Sequence, residues 1–183
     1  MRRILATWFL LTTALLCFDV AAHDLPNERK LIVDVGAESV EMMLVYQQPE
    51  TKAVGLLLRK YDLDGDGELT DGEAKMAGRE WMPRMLHGLQ FEVAGERPQA
   101  RKPEIKFRRE DDGALTAAAY MKWSLDSLEP GDKRTFHVRV LDTDNATKTL
   151  VEIRAGDDLD AETTVNRMVE PGEEATLTVV GGR

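Results

Sequence analysis

The sequence predicts an antiparallel β-sandwich carrying one inserted helix–loop–helix. Three observations predict it. Short runs of β-branched and alternating apolar residues recur through most of the chain. Clusters of Gly, Pro, Asp and Asn separate those runs. Between residues 50 and 82 the period of two gives way to a helical one, on both sides of an acidic loop.

The elements follow in order. Lys30–Val35 and Ser39–Tyr46 read as two strands parted by Gly36. From Glu50 to Tyr61 the apolar residues Val54, Leu57, Leu58 and Tyr61 fall on one helical face. A second helix is expected from Glu73 to Met82, with Ala74, Ala77, Trp81 and Met82 as its less polar side. Thr70 and Glu73 have capping-box spacing at its start, and Pro83 is expected to end or kink it. Gly55 and Gly78 lie inside the two helices, where each costs about 1 kcal/mol relative to alanine on an exposed face. Strands are then expected at Leu89–Val93, Glu104–Arg108, Ala114–Leu125, Thr135–Leu141, Lys148–Arg154 and Ala175–Val180. Turn clusters such as Glu110-Asp111-Asp112-Gly113 and Glu170-Pro171-Gly172 divide them.

The chain of 183 residues is long enough for one domain with a substantial core, and 43% of it is hydrophobic. Residues 1–22 read as an export signal. Arg2 and Arg3 precede an apolar run from Ile4 to Phe18, and Val20-Ala21-Ala22 supplies small residues for cleavage. The expected product is a single sandwich domain from His23 to Arg183, exported to the periplasm or the extracellular space, with no membrane anchor. The only cysteine, Cys17, leaves with the signal, so no disulfide framework is expected. A net charge of -9 argues against nucleic acid as a partner and suits a protein that binds cations.

The chemistry concentrates in Tyr61 to Glu73, YDLDGDGELTDGE. Calcium is a hard ion that takes six to eight oxygens, so a chain must wrap around it to supply them. Asp62, Asp64 and Asp66 stand at positions 1, 3 and 5 of a twelve-residue loop. Gly67 at position 6 permits the sharp turn. Glu68 at position 7 offers its carbonyl, and Leu69 at position 8 packs the loop. Thr70 at position 9 can hold a ligand water, and Glu73 at position 12 can bind through both oxygens. The pattern resembles the EF-hand family over residues 50–82. The resemblance implies one bound calcium ion. An acidic solvated turn explains neither Gly67 after three alternating acids nor the closing Glu73.

EF-hands usually pair, and no second loop is found: Asp142–Asp144 and Asp157–Asp160 lack the glycine and the closing glutamate. The second helix offers a small face rather than the Met-rich groove of a calcium sensor. A helix pair fixed on the sandwich is therefore expected, with two loops pairing between molecules as the alternative. A chain that begins His23-Asp24-Leu25 after cleavage, passes through two strands and meets such a hand also resembles soluble periplasmic domains associated with nickel and cobalt transporters.

Enzymatic chemistry finds no support in the motifs. The chain lacks a nucleophile elbow and a phosphate-binding glycine loop. Copper at an N-terminal His23 would need His87 or His137 as its second imidazole, and neither lies in a ligand motif. Asn145-Ala146-Thr147 fits a glycosylation sequon. The function expected is non-enzymatic calcium binding with a structural or modulatory role. The alternative is a module that binds a protein or glycan and uses calcium only as a staple.

Overall fold

The computed structural model describes residues 28–98, 103–143, 147–161 and 164–182. The expected export signal, its cleavage point, His23 and Asn145 lie outside the described residues.

Ten strands form two sheets. They are β1 (Glu28–Val35), β2 (Ser39–Gln48), β3 (Leu89–Val93), β4 (Glu104–Arg109), β5 (Leu115–Ser124), β6 (Lys133–Val140), β7 (Thr149–Ala155), β8 (Leu159–Ala161), β9 (Val165–Val169) and β10 (Glu174–Gly181). One sheet has the order β4-β5-β2-β1-β7-β9, the other β3-β6-β10-β8. Helices α1 (Lys52–Tyr61) and α2 (Asp71–Met85) lie between β2 and β3, where the insert was expected.

Alternation builds the core. Val40, Met42, Leu44 and Tyr46 of β2 point inward, as do Phe136, Val138 and Val140 of β6 and Ala175, Leu177 and Val179 of β10. Together these faces make one apolar cluster. One buried polar atom among the described residues, the Trp123 indole nitrogen, finds no acceptor.

Three features differ from the sequence-based expectation. The sandwich is not wholly antiparallel, because β1 and β7 run parallel from Arg29↔Thr149 to Val35↔Ala155. The chain returns from β6 in the other sheet before it enters β7, and that crossing reverses the direction a hairpin would impose. Secondly, β8 and β9 were not foreseen. Thirdly, α2 does not stop at Pro83 but continues to Met85. Proline removes one N–H donor there, yet the Leu86 N–H still reaches the Met82 carbonyl at 3.0 Å.

The fit of α2 on the sheet is specific. Tyr46, Ala117 and Phe107 lie side by side across β2, β5 and β4. The small residue between two rings leaves a hollow that Trp81 fills. Its indole makes edge contacts with Tyr46 at 6.1 Å and Phe107 at 5.9 Å between centroids. One turn earlier Gly78 meets Ile105, and a β-carbon there would come within 2.3 Å of Ile105 Cγ2. The two helical glycines therefore should respond oppositely to alanine. Around Gly55 nothing lies within 4 Å, so Gly55→Ala is expected to stabilise by about 0.5–1 kcal/mol. Gly78→Ala should destabilise by about 1–3 kcal/mol despite the same propensity gain, because Ile105 must move. Urea denaturation of both variants checks this, and a shift of the same sign in both would refute the packing argument.

Candidate metal site

The loop between the helices starts where α1 ends. Thr51 caps α1 by accepting the Val54 N–H, and Asp62 follows its last turn. Gly65 and Gly67 take φ of 77° and 87°, the left-handed region that favours glycine. With those two turns the chain curls back, and single carboxylate oxygens of Asp62, Asp64 and Asp66 come to lie within 4.8 Å of one another. Among the described residues this is the one group of three or more metal-ligating side chains that converges.

The acids also organise the loop's own backbone. Asp62 accepts the N–H of Gly65 at 2.7 Å and of Gly67 at 2.9 Å. The N–H of Glu68 donates to Asp66 Oδ1 at 2.8 Å, and that of Asp66 to Asp64 Oδ1 at 3.4 Å. Asp64 and Asp66 are exposed, and Asp62 is half-buried. Leu69 is half-buried against the core cluster and ties the loop to the sandwich.

Glu73 stands apart from the three aspartates. It is 6% exposed, in the first turn of α2. Its Oε1 accepts the Leu63 N–H at 2.6 Å, and its Oε2 accepts the Thr70 N–H at 2.9 Å and the Thr70 hydroxyl at 2.7 Å. The reach back to the Thr70 N–H is the glutamate half of a capping box. One carboxylate thus joins position 2 of the loop, position 9 and the start of α2. Thr70 is more than a holder of water here, because its hydroxyl occupies a lone pair of Glu73.

The electrostatics match this division. The N–H of Leu63, then the hydroxyl and N–H of Thr70, hold the Glu73 carboxyl below the ordinary glutamate range. Asp64 is pushed the other way. The Asp66 N–H lowers it, but some loss of hydration, the negative charges of Asp66 and Glu73 and a hydrogen bond with Asp62 together outweigh that bond and raise it.

Three contacts from other parts of the chain surround the helix pair and its loop. The Arg109 guanidinium, at the end of β4, stands against Gly67, with Nη1 3.4 Å from where a β-carbon would sit. Across the helices, Glu80 of α2 accepts from Lys60 Nζ at 2.6 Å and from the Tyr61 hydroxyl at 2.9 Å. At the far end of α2, Arg29 is 4% exposed and donates to the carbonyls of Met85, His87 and Thr147 and to Thr149 Oγ1. Burial pushes this guanidinium down to about 10, with the charge of Tyr46 opposing. A cation at a helix C-terminus also complements the helix dipole. Sequence reasoning missed Arg29, although its phase gives a signal: it alternates with Leu31, Val33 and Val35, all inward.

The histidines lie elsewhere. His137 of β6 pairs with Glu174 at 3.1 Å, and His87, just past α2, meets Thr143 at 3.2 Å. No model of a known protein family matches the chain. A search of curated proteins likewise finds no match.

Proposed function

We propose that the loop Asp62–Glu73 binds one calcium ion and that the ion fixes the helix pair on the sandwich, in a non-enzymatic role. The observation that carries this reading is the convergence of Asp62, Asp64 and Asp66 in a loop whose last acid, Glu73, lies in the first turn of the following helix. The donor set is all oxygen, which suits calcium or magnesium rather than zinc or copper. The resemblance to an EF-hand over residues 50–82 supports calcium of the two. Glu73 Oε1 accepts one hydrogen bond and keeps a lone pair to offer; Oε2 frees one if the Thr70 hydroxyl turns away. The ion would offset the repulsion among the clustered carboxylates of Asp62, Asp64 and Asp66. The chain's placement outside the cytoplasm belongs to the same reading and rests on residues 1–22.

Calorimetric titration of the protein with calcium is expected to show one site per chain. A lone loop without a stiffening partner should have a dissociation constant on the order of 10⁻⁴ to 10⁻³ M. Amide exchange with and without the ion should differ within residues 50–82 and leave the strands protected. Two or more tight sites would contradict the single loop. General loss of protection on chelation would contradict the role of a fastener for one insert.

A further inference from the structure

A second feature of α2 lies on its other side. Strand β4 ends the six-stranded sheet and, among the described residues, pairs only with β5. Its remaining edge borders a groove of about 810 Å³, closed on the far side by α2. Met82 and Ile105 give the groove an apolar floor, and Gly78 removes a side chain from the helix wall.

The charges along this groove are unusual for the molecule. The chain carries a net charge of -9, and many of its surface cations stand against carboxylates: Lys30 against Glu152, Lys122 against Glu41, Arg139 against Glu174, Arg154 against Asp34. Lys75 and Arg79 of α2 and Lys106 of β4 line the groove and are all exposed. Among the described residues none of the three makes an ion pair or a side-chain hydrogen bond. Asp71 and Glu104 also line it, so the cations exceed the acids by one. A lysine on an edge strand can simply deter strand-to-strand aggregation. That accounts for Lys106 but not for Lys75 and Arg79, which come from the helix across the groove.

We propose that the groove between α2 and the free edge of β4 receives an extended, acidic segment of a partner protein, which adds a strand to β4 while its carboxylates meet Lys75, Arg79 and Lys106. Main-chain bonds to a sheet edge supply affinity without choosing a sequence, and alternate side chains choose it. Here the choice falls on acids on both faces of the added strand: Lys75 and Arg79 stand on the α2 side, and Lys106, between the α2-facing Ile105 and Phe107, stands on the other. The reading does not rest on calcium binding, since Lys75, Arg79 and Lys106 are not among the loop's acids, although Asp71 of that loop also lines the groove.

The test uses a fluorescein-labelled peptide about eight residues long that repeats Glu-Glu-Val, so that carboxylates fall on both faces of the added strand. Anisotropy should rise with added protein and fall back as salt screens the contact. The same peptide with lysine for glutamate should bind at least tenfold more weakly. Reversing both helix charges (Lys75→Glu with Arg79→Glu) should weaken binding roughly tenfold or more, and Lys106→Glu should do so independently from the strand side. All three positions are exposed, and unchanged amide protection in the sandwich core confirms that the variants fold. In the parent, bound peptide should slow exchange of amides in Glu104–Arg109. Equal binding to the charge-reversed variants, equal binding of the lysine peptide, or protection that appears away from β4 would each overturn the proposal. So would sedimentation showing that a second copy of the chain takes the groove in preference to the peptide.

Discussion

Trp81→Ala is expected to lower stability by about 3–5 kcal/mol, the usual range for truncating a fully buried aromatic. Trp81 is 1% exposed and fills the hollow that Ala117 leaves between Tyr46 and Phe107. Its loss opens a cavity that small neighbours cannot close, and it removes two edge-to-face contacts. The cost should not fall evenly. Arg29 still holds the C-terminus of α2, whereas the N-terminal half, with Glu73 and the acidic loop, loses its nearest deep anchor. Calcium affinity should therefore fall along with stability, although Trp81 is no ligand. Urea denaturation measures the first effect and calorimetry the second. Trp81→Phe keeps a ring in the hollow and should recover part of both. A stability loss below about 1 kcal/mol would mean that α2 is not held through this residue.

The strands that sequence reveals are those with one buried face. In β2 and β5 every second residue is inward and apolar, so the period of two is written in the chain. Strand β9, VNRMV, is an edge strand with Asn166, Arg167 and Met168 all exposed, and it has no apolar phase to read. Strand β8 has three residues among acids, too few to show a period. The parallel pairing of β1 with β7 is a fact about the order of strands, which local patterns do not carry. Pro83 illustrates the limit at element ends. Its missing donor is a local property, but the helix outlasts it, and its end is held by Arg29, 56 residues before Met85, which donates to the Met85 carbonyl, an anchor no local pattern predicts.

The candidate site divides along the same line. Asp62, Asp64 and Asp66 are legible because their alternate spacing in a short loop turned by Gly65 and Gly67 brings them together, while Glu73 stands apart from that cluster and bonds to Leu63 and Thr70. The surroundings are not legible. Arg109 reaches Gly67 from the end of β4, and Glu80 meets Lys60 and Tyr61 only because the two helices pack side by side. Gly78 read as a helix defect on propensity alone; against Ile105 it is the residue that lets α2 approach the sheet.

Glu73→Gln is expected to weaken calcium binding by at least about tenfold, and by more than Thr70→Ala does. The glutamate's carboxylate hydrogen-bonds the loop at Leu63 to the start of α2 at Thr70, and the amide replaces one of its two oxygens with a donor. Whichever way the amide turns, either the Leu63 N–H or the Thr70 N–H then faces an NH₂ group. The loop should loosen even without calcium, so amide exchange at Leu63 and Thr70 should quicken in the variant while the strands stay protected. Thr70→Ala removes one hydroxyl bond but leaves both oxygens of Glu73 and both backbone donors, which is why its effect should be smaller. Acid gives an independent reading. The Leu63 and Thr70 donors depress the Glu73 carboxyl, so its stabilisation is complete above the pKa of the unfolded side chain. It fades as the pH falls through the lower folded value, and the Gln variant should lack that part of the acid transition. Calorimetry, exchange and an acid titration without calcium thus interrogate one carboxylate in three ways. If the variant binds calcium like the parent, Glu73 does not close the loop around the ion, and its position at the start of α2 is that of a helix cap alone.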